Sequence, residues 1–145
     1  MDLERIRAMD ETDQIAARFF SPREERCLLA LPAAQRMEAF FNCWTRKEAY
    51  LKAIGVGLDD CLKQIEVSLV PGEAAELFGV PNDSEQWLLR SLRPAAEFVG
   101  ALVIRQDDWR VNCWKWDGRH DATGHARRTT PFRIREGNGQ YPNNE

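Results

Sequence analysis

The chain has 145 residues, 43% of them hydrophobic and 30% charged, with a formal net charge of −3. That size and balance suit one globular domain. The small negative charge argues against a general nucleic-acid binder, which needs a basic surface, and no apolar run approaches the roughly 20 residues that cross a bilayer.

The charged N-terminus MDLERIRAMDE is not a secretory signal, and a cytoplasmic protein is expected. Residues 1–9 fit either the end of a strand or a loop. Thr12 to Phe20 reads as a short helix, with Ile15, Arg18 and Phe19 at helical spacing. Ser21-Pro22-Arg23-Glu24 is a helix start: Ser21 caps, Pro22 suits the first helical position and Glu24 completes a capping box. That helix runs to about Leu31, where Pro32 interrupts. Ala33 to Ile54 is a long amphipathic helix with Met37, Phe40, Phe41, Trp44, Leu51 and Ile54 as its apolar stripe. Gly55 and Gly57 end it.

The period then changes. Ile65, Val67 and Leu69 alternate with Glu66 and Ser68, as in a half-buried strand. Pro71 to Asn82 reads as a connection with room for one helical turn. Gln86 to Leu92, Glu97 to Ile104 and Asp108 to Trp116 read as three more strands. The run FVGALVI is apolar on both faces and is expected at the sheet centre, with antiparallel neighbours because the connections are too short for crossover helices. After Trp116 the chain turns polar and loses its apolar period. The expected organisation is a domain over 1–116 and a disordered tail over 117–145. The four cysteines, Cys27, Cys43, Cys61 and Cys113, lack metal-ligand spacing and read as free thiols.

The long helix contains an anomaly. Positions 37, 41, 44, 48, 51 and 55 form a stripe, and position 48 is Glu. A carboxylate on a buried stripe is costly unless compensated. Two compensations are open: a surface Glu48–Lys52 pair at i, i+4, or a cation at Glu48 with Lys52 facing a phosphate. At the N-terminus, Asp2 and Glu4 point to one side if the segment is extended. Such a pair is either an ordinary charged terminus or an oxygen-ligand set for a hard divalent ion such as Mg²⁺.

Taken together, Asp2-Leu3-Glu4, then Arg18-Phe19-Phe20-Ser21 with Glu24, then Trp44-Thr45-Arg46-Lys47-Glu48-Ala49-Tyr50-Leu51-Lys52 through Gly55-Val56-Gly57-Leu58, resemble the larger type of 4′-phosphopantetheinyl transferase. Its motifs are D-x-E on a short strand, R-F-F-S with a nearby Glu, and the helix W-S/T-x-K-E-A/S-x-x-K-x-x-G-x-G-L. The match covers about residues 2–60 by motif and extends to about 116 by pattern. The resemblance implies an α+β fold with helices packed on a small antiparallel sheet. It implies an Mg²⁺-dependent enzyme that moves the phosphopantetheine arm of coenzyme A, its substrate, onto a serine of an acyl or peptidyl carrier protein.

By similarity, Asp2, Glu4 and Glu48 are the candidate metal ligands. Lys47, Lys52 and Ser21 are the candidate cofactor contacts. Glu48, Lys52 and Glu24 are the candidate catalytic residues, with Glu24 or Glu48 as the base. For Ser21 and Glu24 a plain helix cap is the competing role. Arg23, Arg26, Arg36 and Arg46 are available for an acidic carrier.

The resemblance is to the C-terminal half of a two-half enzyme. The chain is therefore expected to be a fragment, to pair with a separate first half, or to self-associate as the smaller family type does. A half-domain that binds carrier protein or coenzyme A without turnover is the alternative reading. Another Mg²⁺-dependent phosphate enzyme is a third.

Overall fold

A computed structural model describes residues 1–57, 60–80, 87–105, 111–120, 123 and 126–133. Among these are three helices, α1 (Thr12–Phe19), α2 (Pro22–Ala30) and α3 (Ala33–Ile54). The strands are β1 (Asp2–Arg5), β2 (Glu66–Val67), β3 (Leu77–Gly79), β4 (Trp87–Leu92), β5 (Phe98–Arg105), β6 (Asn112–His120) and β7 (Ala126–Arg133). They form antiparallel sheets of order β1-β5-β4, β2-β3 and β6-β7. This is the expected α+β fold, and FVGALVI is the central strand of the first sheet.

Local chemistry sets the helix ends. Pro22 opens α2 behind the Ser21 cap: Ser21 Oγ accepts from the Glu24 amide at 3.2 Å, and Glu24 Oε2 accepts from the Ser21 amide at 2.7 Å. This reciprocal capping box satisfies two amides that the helix leaves open. At its other end α3 stops on Gly55, whose φ of 74° is left-handed. The Gly55 amide donates to the Leu51 carbonyl, and so does the Val56 amide at 3.0 Å. A Cβ at position 55 would meet nothing within 4 Å, so only the backbone conformation opposes a side chain there. Gly55→Ala is therefore expected to cost about 1–2 kcal/mol. A lower urea midpoint at unchanged slope would report it.

The core forms around α3. Phe20, Phe40, Phe41, Leu51, Ile65, Val67, Leu69, Leu89, Val99 and Val103 are all buried. Phe40 lies 5.3 Å from both Phe20 and Phe41, and Trp44 meets Phe19 edge-on at 5.7 Å, so Trp44 is a packing aromatic. Ile65, Val67 and Leu69 are buried, with Glu66 and Ser68 half-exposed, as their alternation predicts.

The expected stripe of α3 is buried in part. Phe40, Phe41 and Leu51 are interior as expected, but Met37, Trp44 and Glu48 are half-buried and Ile54 and Gly55 are exposed, whereas Ala39, Cys43, Lys47 and Tyr50, off the expected stripe, are also interior. The helix packs against α2 on one side and β1, β2 and β5 on others, so no single stripe describes it. Thr45 and Arg46 are also interior. Thr45 Oγ1 donates to the Phe41 carbonyl at 2.9 Å. Arg46 donates to the Ser68 carbonyl at 2.6 Å, to Ser68 Oγ at 2.9 Å and to Ser91 Oγ at 3.0 Å.

Three elements differ from the sequence reading. Asp60–Gln64 forms a short 3-10 turn, and the connection after Pro71 contains β3. The segment after Trp116 is not wholly a loose tail: β6 continues to His120 and pairs with β7, from Asn112 opposite Arg133 to His120 opposite Ala126. A hairpin forms by local backbone pairing and needs no long apolar period, and Thr129 and Thr130 favour extended backbone. The rest of the expected tail, residues 121, 122, 124, 125 and 134–145, lies outside the described residues.

Candidate metal and phosphate site

β1 supplies the acidic pair. Along it Asp2 and Glu4 are half-buried while Leu3 and Arg5 are exposed. Asp2 lies opposite Ala101 and Glu4 opposite Val99, both buried residues of β5. The acidic pair therefore shares the inner face of the strand, the face toward α3. Glu48 on α3 is close enough for its ionisation to respond to both. Lys52, one turn on, donates from Nζ to Asp2 Oδ1 at 2.7 Å. The helical pair envisaged between Glu48 and Lys52 thus becomes a contact across the fold.

The charges shape each other. Burial pushes the Glu48 carboxyl up from its ordinary value, Asp2 and Glu4 push it further, and Lys52 pulls it back. The Lys52 ammonium is held above its ordinary value, chiefly by its hydrogen bond to Asp2; burial opposes this, and the charges of Asp2, Glu48 and Glu4 add to it. It therefore stays charged at neutral pH.

Two side-chain atoms, Asp2 Oδ2 and Glu48 Oε1, are buried and without a hydrogen-bond partner among the described residues. A buried carboxylate oxygen left unpaired costs more than the ~1–3 kcal/mol of a neutral group. Their chemistry fits a hard divalent cation. The fit has a limit: no three His, Cys, Asp or Glu side chains among the described residues converge as a ready metal cage. Glu4 Oε2 accepts from Arg7 Nη1 at 3.2 Å, which ties it back along its own segment. Mg²⁺ needs no protein cage, since it is commonly held by one or two carboxylates with water and substrate phosphates. Asp2 and Glu48 suit that role, with Glu4 on the same strand face. Arg7 was not flagged by the sequence, where nothing distinguishes it from other surface arginines.

The remaining candidate site residues, Ser21, Glu24 and Lys47, gather elsewhere, in the core beneath α2. Lys47 is interior. Its Nζ pairs with Glu24 Oε2 at 2.5 Å and donates to the carbonyls of Leu62 at 2.7 Å and Phe19 at 3.2 Å. Three acceptors use the three donors of an ammonium, leaving none for a phosphate. Glu24 is equally engaged, since Oε1 also accepts from the Val67 amide at 2.8 Å. Ser21 is buried beneath its cap. Ser21, Glu24 and Lys47 thus tie α2 to α3 and β2 in the core. Adjacent Cys43 is a free, buried thiol. Burial, and then the Glu24 charge, push it well up, which leaves it protonated and unreactive.

The candidate arginines also separate. Arg46 is interior. Arg36 donates to the carbonyls of Leu29 and Leu31 across the α2–α3 corner, and Arg23 lies over the Phe78 ring at 4.2 Å. Arg26 is exposed.

The profile of the 4′-phosphopantetheinyl transferase superfamily matches residues 1–111. The chain belongs to that superfamily. Its relatives include the 4′-phosphopantetheinyl transferase HetI of Nostoc sp., 39% identical over 116 residues, covering 80% of this chain and 47% of the relative. A 4′-phosphopantetheinyl transferase of Bacillus subtilis is 36% identical over 109 residues, covering 75% of this chain and 47% of the relative. A holo-[acyl-carrier-protein] synthase of Geobacillus kaustophilus is 32% identical over 74 residues, half of this chain and 57% of the relative. The chain spans about half the length of these curated relatives. Within the superfamily match lie both clusters, the acidic one between β1 and α3 and the buried one beneath α2. No helix among the described residues is long and apolar enough to cross a membrane.

Proposed function

We propose that this chain carries the metal- and phosphate-binding half of a 4′-phosphopantetheinyl transferase, corresponding to the C-terminal half of the larger, two-half type. The reaction moves the phosphopantetheine arm of coenzyme A onto a serine of an acyl or peptidyl carrier protein in the cytoplasm. The observation that carries this reading is the pair of unpartnered carboxylate oxygens, Asp2 Oδ2 and Glu48 Oε1, beside the Lys52 ammonium.

In that reaction the serine oxygen bonds to phosphorus, and the bond to the departing 3′,5′-ADP breaks. Mg²⁺, when bound, would neutralise the pyrophosphate charge as that bond opens. Asp2 and Glu48 would hold it, with Glu4 in support. Lys52 donates to a phosphate oxygen as a flexible point charge, exchanging its Asp2 contact for the substrate's. Glu48, directly or through a water, is the candidate acceptor for the serine proton. Glu24 is spent on the core ion pair and takes no part in proton transfer.

The chain spans 47% of the length of two relatives, and a second reading is a half-domain that binds carrier protein or coenzyme A without turnover. Incubating the purified chain with coenzyme A, Mg²⁺ and an apo carrier protein separates the two. Mass spectrometry is expected to show phosphopantetheine on the carrier. An unmodified carrier, with a full-length relative active in parallel, would reject transfer by this chain alone, and carrier binding without transfer would favour the second reading.

A further inference from the structure

Gly100 interrupts an otherwise apolar strand. A glycine there weakens β5 and leaves nothing to pack, a cost that marks a close backbone approach. Register places Gly100 opposite Leu3, between the pairs that align Asp2 with Ala101 and Glu4 with Val99. A Cβ at position 100 would fall 2.7 Å from the Asp2 backbone oxygen, 3.1 Å from Leu3 Cδ1 and 3.5 Å from Leu3 Cα. The nearest atoms all belong to β1, and none to α3 or the core. Leu3 is 48% exposed, so its side chain has room to swing away. The Asp2 carbonyl has none, because moving it moves the strand and the carboxylate attached to the same residue.

We infer that Gly100 is a positioning residue for the acidic pair: its missing side chain lets β1 lie close against β5, and this sets Asp2 and Glu4 beside Glu48. Neighbouring Ala101 assists from the other face. It is fully buried opposite Asp2, and its small side chain leaves room for the Asp2 carboxylate. The consequence for a bound cation rests on the metal-site reading above, whereas the placement of β1 rests on packing alone.

The test compares the full chain with Gly100→Ala and with Gly100→Ala/Leu3→Ala. Mn²⁺ binding is read by electron paramagnetic resonance, and backbone packing by amide hydrogen exchange. Gly100→Ala is expected to weaken Mn²⁺ binding by about 10–100-fold, the usual effect of disturbing the groups that orient metal ligands. It is also expected to accelerate exchange in β1 while leaving the β4–β5 pairing unchanged. The added Leu3→Ala change restores neither property, since the clash is with backbone.

Mn²⁺ affinity within twofold of the parent, restoration by Leu3→Ala, or faster exchange and loss of fold throughout the sheet would each overturn the inference. If the parent chain does not bind Mn²⁺, the metal reading fails. Exchange in β1 then decides the positioning role: local acceleration upholds it, and unchanged exchange overturns it.

Discussion

Replacing Lys47 by methionine is expected to destabilise the chain by about 3–5 kcal/mol, the usual cost of removing one member of a buried ion pair. Both partners are almost fully out of water, and the methionine would leave Glu24 ionised in the core with only amide donors around it. It would also strip a donor from the carbonyls of Leu62 and Phe19. A small domain has about 5–15 kcal/mol of stability in all, so the loss is a large fraction. Urea unfolding measures it, and Glu24→Gln in the same chain is expected to recover part of it by removing the stranded charge. A phosphate-binding Lys47 predicts the opposite pattern: near-native stability and weaker coenzyme A binding.

Glu48→Gln should move two properties in opposite directions. Divalent cation binding is expected to fall by about 10–100-fold or more, since the substitution removes a ligand and not only its support. The stability of the metal-free chain should rise at neutral pH. The sign follows from linkage. Burial and the charges of Asp2 and Glu4 raise the folded-state value of Glu48 above its ordinary 4.5, despite the opposing pull of Lys52. A group raised in the folded state favours folding below its unfolded value, and that contribution is lost as pH rises through the folded value. The glutamine has no such loss. The stability gap between variant and parent should therefore be small below about pH 4.5 and grow above it. Unfolding curves across that range, without divalent ions, measure the gap. A parent that is the more stable at neutral pH would show that Glu48 is already compensated within the fold.

These two results separate neighbours whose roles spacing could not assign. Lys47 and Glu48 are consecutive, so their side chains leave the helix about 100° apart, and either fits an odd charge on a buried face. The sequence pattern singled out Glu48. Of the two, the one in the interior is Lys47, because α3 is enclosed on several sides and its partner Glu24 comes from the capping box of a different helix. The capping box itself was legible, since Ser21, Pro22 and Glu24 state it locally. So were the bounds of α3, set by Pro32 and Gly55, and the central place of β5, set by its two apolar faces. β3, at three residues, is too short to carry a period. The pairing of β1 with β5 joins segments nearly the whole domain apart in sequence, and no local pattern specifies it. For that reason Asp2, Glu4 and Glu48 were visible as chemistry, while the Lys52–Asp2 contact and the need for glycine at position 100 emerged only from the fold.

The most direct test is an anomalous difference map from crystals of this chain grown with Mn²⁺ and coenzyme A. The predicted result is a peak between Asp2 Oδ2 and Glu48 Oε1, with Lys52 turned toward a phosphate and the Glu24–Lys47 pair intact. A peak at Glu24, or no peak at saturating Mn²⁺ with coenzyme A bound, would contradict a functional centre between β1 and α3.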